Sequence, residues 1–305
     1  MDCYRSESRH TLQSPLFLLA VALCCICLSL WQSTVFAQAT THDVYLLADK
    51  QDEASKSTLI KALRDQFPAA PYNSKAEFKK NALIIAVGYE TVEKLIESRV
   101  ANPILAVGVS SVGFQDFVKK RDNLSAIYSD PSPEAQFHLM AAIGGRMAQQ
   151  VAFFMTPRTE FLKPALQSAA SSAGIVLELI DVTNQDDMFS RANRIQSRIV
   201  LMYPDATIFT SSSVRNLMLQ LYRADRVLFG FSRNLVQAGA MGSTVPTDEG
   251  VARQAQEMVD GYMASGTLRP PAFSKSSKIL LNVLVARSLN YVIKDEILRN
   301  ADVVR

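Results

Sequence analysis

Short unbroken apolar runs, each followed by an amphipathic segment, constrain this chain more than any other feature of its sequence. ALIIAVG (82–88) and PILAVGVSS (103–111) are apolar almost throughout and end on glycine or serine. A strand with one wet face alternates in polarity, whereas a strand covered on both faces does not. DVYLLA (43–48) and LSAIYSD (124–130) are shorter runs of the same kind. Between them lie helix patterns, as in ASKSTLIKALRDQF (54–67), where Leu59, Ile60, Leu63 and Phe67 recur at helical spacing. YETVEKLIESRV is a second such helix. Strand, helix and strand in repetition predict an α/β protein with parallel sheets under helices.

A second series starts at Pro131. PSPEAQFHLMAAIGG opens as a helix at Ser132, Pro133 and Glu134. QVAFFMT (150–156) reads as a strand, and PRTEFLKPALQSAASSAG as a helix stopped by Gly174. IVLELIDV is a strand, and QDDMFSRANRIQSRI a helix with Asp186 and Asp187 in its first turn, where acids suit the dipole. DATIFTSS (205–212) is expected as a strand, SVRNLMLQLYRA as a helix and RVLFGF as a strand. The rhythm then breaks at AGAMGSTVP (238–246). A long helix, TDEGVARQAQEMVDGYMASG, follows, then the proline-rich LRPPAFSK, then KILLNVLVARSLNYV, a strand that runs into a helix.

The first 39 residues belong to neither series. Arg5, Arg9 and His10 lie in a polar start diluted by Asp2 and Glu7, PLFLLAVALCCICLSLW (15–31) is apolar, and VFAQA carries small residues at A-x-A-like spacing. The run is slightly long for a signal peptide and near the short limit for a membrane span. The cleavage-site pattern favours a cleaved secretory signal over a retained anchor. All four cysteines, Cys3, Cys24, Cys25 and Cys27, fall in this segment. An exported chain without it has no disulfide framework, thiolate metal site or cysteine nucleophile.

Several function classes drop out. Net charge is +3 with no Lys/Arg run, so nothing calls for nucleic acid. Beyond the leader only His42 and His138 remain, and no HExxH, GxSxG, Walker or GxGxxG pattern occurs. Neither an enzyme nor a bound cofactor or metal is expected. The apolar leader also occupies the place where a repressor would carry a helix-turn-helix.

Five stretches, taken in order, resemble a known family: ALIIAVGYETVEKL, NPILAVGVSS, NLSAIYSDPSPEAQFHLM, FGFSRNLVQAGAMGSTVPTDEGVARQAQEMVDGYMASG and KILLNVLVARSLNY. Together they are similar to ABC transporter substrate-binding proteins with the type I periplasmic binding fold, the family that includes tryptophan and tyrosine binders. The resemblance spans roughly residues 43 to 295 and is most specific over 229 to 264. It implies two Rossmann-like lobes with parallel sheets, joined by a multi-strand hinge. Lobe 1 is then 40–130 plus 240–273, and lobe 2 is 131–239 plus 274–305. It also implies a small ligand held in the interlobe cleft, trapped by closure, and an ABC permease or a membrane sensor as partner. The setting implied is the bacterial periplasm.

In such a fold ligands meet the carboxyl ends of strands. The candidates there are Tyr89, Ser110, Ser111, Tyr128 and Asp130 in the first lobe. In the second they are Thr156, Arg158, Ser211, Ser212, Ser232, Arg233 and Asn234. Each serine or asparagine also has a plainer role as a helix N-cap, and each arginine one as a solvated surface residue. Amino-acid binders need a carboxylate beside the ligand ammonium. These turns are rich in hydroxyls and arginines, which suits an anionic ligand better.

Overall fold

The computed structural model describes residues 44–73 and 77–304. The expected signal peptide, 1–39, and its cysteines lie outside the described residues.

The first four strands of the described residues are β1 (Val44–Ala48), β2 (Leu83–Val87), β3 (Ile104–Val109) and β4 (Leu124–Tyr128). They pair in parallel in the order β1-β2-β3-β4, and β10 (Ala272–Phe273) joins beside β4. Their unbroken apolar character follows from a helix layer on each face. Leu46, Ile85 and Val107 point to one layer, where they meet Leu59 and Leu63 of α2 (Ser57–Gln66) and Val251, Ala255 and Val259 of α10 (Asp248–Ser265). Tyr45, Ile84 and Ala106 point to the other, against Val92 and Leu95 of α3 (Tyr89–Glu97) and Phe114 and Phe117 of α4 (Ser111–Val118). α1 (Lys50–Ser55) follows β1 directly. Beyond β1 the sheet is finished by one isolated bridge, Leu46 to Tyr72, where Asn73 Oδ1 also accepts from Ala48 N at 2.8 Å.

The second sheet has the order β12-β11-β9-β8-β7-β5-β6. β5 (Gln150–Met155), β6 (Val176–Asp181), β7 (Ile199–Leu201), β8 (Val227–Phe229) and β9 (Gly242–Pro246) run parallel. β11 (Ser277–Asn282) is antiparallel to β9, and β12 (Ala301–Val304) follows it. One face is covered by α5 (Pro133–Gly144) and α6 (Lys163–Ser172) through Phe137, Met140 and Leu166. The other is covered by α7 (Gln185–Ala192) and α8 (Ser211–Tyr222) through Met188, Leu217 and Leu221. The short α9 (Arg233–Ala238) leads into β9, and α11 (Val283–Ser288) and α12 (Asp295–Arg299) lie between β11 and β12.

One expectation is corrected here. The strand expected at 205–212 lies instead at Ile199–Leu201, and the helix expected to run over that run stops at Ala192. Residues 199–201 are buried and β-branched or leucine, as a central strand requires. Asp205 instead closes a turn, accepting from Thr207 N at 2.9 Å through its side chain and from Phe209 N at 2.8 Å through its carbonyl.

Among the described residues the chain passes between the two sheets three times, after β4, after β9 and between β10 and β11. The second and third passages are tied together: Thr247 Oγ1 and Ser276 Oγ are 2.8 Å apart, and Thr247 N donates to Ser276 O at 3.2 Å. Gly250 makes this contact possible, since a Cβ there would lie 2.2 Å from Ser276 Cβ. Gly250→Ala is therefore expected to cost about 2 kcal/mol by overpacking. Ser276→Gly in the same chain should return most of that, and urea titration of both variants measures it.

Candidate functional site

The carboxyl ends of both parallel sheets face the passages, and a polar network spans them. On the first lobe, Gly88 (φ 90°) ends β2 and turns the chain into α3, which starts at Tyr89. Only glycine adopts that dihedral without strain. The Tyr89 ring packs on Phe117 with centroids 4.7 Å apart, and its hydroxyl donates to Asp116 Oδ2 at 3.3 Å. Burial first, then the Asp116 carboxylate, raises the Tyr89 phenol above its usual value.

On the second lobe, β5 delivers Thr156 and Arg158. Thr156 Oγ1 donates to Asp205 Oδ2 at 2.5 Å, and the Asp205 side chain is fully buried. Arg158 reaches across to the first lobe, where Nη2 lies 3.0 Å from Asp116 Oδ1 and 3.1 Å from Oδ2. Its Nε lies 4.0 Å from Asp205 Oδ1. The bond to Asp116 holds the guanidinium proton more tightly than usual. One arginine thus sits between two carboxylates, one from each lobe.

Ser110, Ser111 and Asp130 frame this network from behind. Ser110 is the N-cap of α4, accepting from Gly113 N at 3.0 Å. Ser111 donates to the buried Asp130 carboxylate through its backbone N at 2.7 Å and through its hydroxyl. Asp130 thereby fixes the start of the helix that carries Asp116. Burial pushes its carboxyl up to about 6 against the opposing pull of the Ser111 hydrogen bonds. Tyr128 is buried at the passage, edge-on to Phe114 and Phe273, and burial pushes its phenol up to about 12. Tyr203 completes this aromatic cluster and donates to Pro131 O at 2.9 Å.

The remaining candidates share no hydrogen bond or ion pair with the network. Ser232 caps α9, accepting from Leu235 N at 3.3 Å. Ser211 and Ser212 occupy the first turn of α8, with Ser212 Oγ 3.1 Å from Thr210 Oγ1. Ser211, Ser232 and Asn234 line a separate groove between α8 and α9. Arg233 pairs with Asp302 of β12 at 2.6 Å. Both arginines behind the anionic expectation are therefore already matched by carboxylates, Arg158 by Asp116 and Arg233 by Asp302.

Two members of the network were not among the sequence candidates. Asp116 is the only charged residue in α4, SVGFQDFV, and an isolated acid on an apolar helix is the signal that marks it. Asp205 was hidden inside a segment expected to be a strand. Among the described residues no group of three or more His, Cys, Asp or Glu is placed to hold a metal ion. Among the same residues no helix is long and apolar enough to cross a membrane.

No protein-family model matches the sequence, and no curated protein matches it. Among solved structures the chain is similar to an ABC domain in complex with L-Trp from Streptococcus pneumonia. That match has a TM-score of 0.58 and 12% identity, covering 86% of this chain and 99% of that one. It is also similar to a substrate binding protein with adhesive properties from Clostridium difficile in its ligand-free, open form, with TM-score 0.59, 16% identity and coverage of 86% and 98%. A conserved domain protein from Vibrio cholerae matches with TM-score 0.57, 16% identity and coverage of 86% and 99%. At these identities the likeness speaks for the fold. Two lobes of parallel sheet and flanking helices, linked by three passages of the chain, are the type I periplasmic binding fold, and this chain has it.

Proposed function

We propose that this protein is a periplasmic solute-binding protein that holds a small polar ligand between its lobes for an ABC-type transporter. The observation that carries this reading is the Tyr89–Asp116–Arg158–Asp205–Thr156 network, which joins the carboxyl ends of the two sheets. The ligand class follows from its charges. Arg158 is flanked by two carboxylates, so much of its charge is already matched and a simple anion meets their repulsion as it approaches. A zwitterion offers a cation to Asp116 and an anion to Arg158, keeping each charge paired as the lobes exclude water.

Titration calorimetry of the full chain against amino acids, betaines, phosphate and dicarboxylates tests this. A zwitterion is expected to bind, and Arg158→Ala and Asp116→Asn are each expected to weaken it at least tenfold, the usual loss for a charged partner in a desolvated site. Unchanged affinity in both variants would sink the reading.

A sensory or adaptor role has one observation in its favour. The outer edge of the first sheet is reduced to the single Tyr72 bridge, which gives a transporter less of that lobe to grip. Recovery of the chain with a membrane receptor, and not with a permease, would decide for that role.

A further inference from the structure

A groove on the second lobe stands outside the network just described. It runs between α8 and α9 and has a volume of about 610 Å³, within the 300–1,000 Å³ range of ligand pockets. Its polarity is graded along its length. At one end are Thr210, Ser211, Ser232 and Asn234, interleaved with Phe209 and Phe231, with Arg215 one turn along α8. Towards the other end the lining is Met218, Leu219, Tyr222, Ala238 and Val285. Gly239 ends α9 at φ 125°, a dihedral that favours glycine. Leu219 and Tyr222 are about half exposed, at 53% and 49%. Single exposed apolar residues need no explanation, but a contiguous apolar trough does.

Among the described residues Arg215 is the only charged one lining the groove. Its guanidinium makes no ion pair or side-chain hydrogen bond among the described residues, unlike Arg158 and Arg233. The amino end of α8, a 12-residue helix, lies at the same polar end and adds positive potential there. At 1.5 Å per residue α8 gives the trough a wall about 18 Å long. A protein partner would meet a polar rim around an apolar centre. Here the polar groups gather at one end, which matches a ligand with one head and one tail.

We propose that the α8–α9 groove binds a single-chain carboxylate amphiphile, with the chain along Met218, Leu219 and Tyr222 and the carboxylate at Arg215. This site shares no residue with the interlobe network. Met218 suits the role because its flexible thioether adapts to a chain of variable length.

The test is titration calorimetry of the full chain with dodecanoate below its micelle concentration. Dodecyltrimethylammonium serves as the same chain with the opposite head, and acetate as the head without the chain. Dodecanoate is expected to bind one per chain, at least tenfold tighter than the cation, with no heat from acetate. Arg215→Gln should bring the two amphiphiles to within about twofold of each other. Leu219→Glu, at an exposed position that does not endanger folding, should weaken dodecanoate at least tenfold. Arg158→Ala should leave it unchanged, so failure here and failure of the interlobe reading are distinguishable. Equal affinity for anion and cation, no binding of dodecanoate, or indifference to both groove variants each overturns the proposal. So does loss of binding in Arg158→Ala. Binding to phosphatidylglycerol vesicles without binding of free dodecanoate also overturns it, in favour of a membrane-facing surface.

Discussion

Replacing Gly88 by alanine is expected to lower the unfolding free energy by about 4 kcal/mol, near the top of the range for a single substitution. Two costs add at this position. Its φ of 90° is a region that residues with a Cβ enter at about 1–3 kcal/mol. A Cβ there would also lie 2.0 Å from Asp52 Oδ1 and 2.1 Å from Asp52 Cγ, an overlap worth about 1–3 kcal/mol. Asp52 has little room to yield. It is buried, and one of its carboxylate oxygens accepts from Thr91 N and Thr91 Oγ1, both at 3.0 Å, at the amino end of α3. Moving it strands those donors and loosens the helix that presents Tyr89.

Urea titration followed by circular dichroism measures the loss. Asp52→Ala in the Gly88→Ala background should cost less than the two single losses added, because the overlap is counted once. A loss under about 1 kcal/mol for Gly88→Ala would show that the β2–α3 turn relaxes freely, and that its geometry does not set the position of Tyr89.

How much of this could be read from the sequence depends on whether the cause was local. The first sheet was legible because β1 to β4 are apolar on both faces, and each run ends on a residue that turns the chain. β7 was not, because its three residues sit between a helix pattern and the strand-like ATIFT, and only the Asp205 turn separates them. The C-terminal β12 depends wholly on pairing with β11, so its short run carries no signal of its own. At the site, strand ends pointed to Tyr89, Thr156 and Arg158. Nothing in the sequence could show that Arg158 meets Asp116, 42 residues away in the other lobe. The anionic expectation weighed the arginines without their partners for the same reason: an arginine's charge is local, but its partner is set by the fold. The α8–α9 groove is likewise invisible in sequence, since it arises from a gap between two helices.

Asp130 supplies the other large expected effect, a dependence of stability on pH that runs opposite to ordinary acid denaturation. Burial raises its carboxyl from 3.8 to about 6 in the folded chain. Between those values the folded state binds more protons than the unfolded one, so stability falls as pH rises. The contribution is fully present below the unfolded value and is lost as pH rises through the folded one. From pH 4 to 7 the expected loss from this group is about 2–3 kcal/mol. Asp130→Asn keeps an acceptor for the Ser111 donors and cannot titrate. The wild type should therefore lose about 2–3 kcal/mol more than Asp130→Asn over that interval in urea titrations. Parallel curves for the two proteins would mean that Asp130 is solvated and its value ordinary. Since Asp130 holds the start of α4, and α4 carries Asp116, the same titration should reach the interlobe pair. Ligand affinity in the wild type is then expected to change with pH near 6, and in Asp130→Asn to stay flat there.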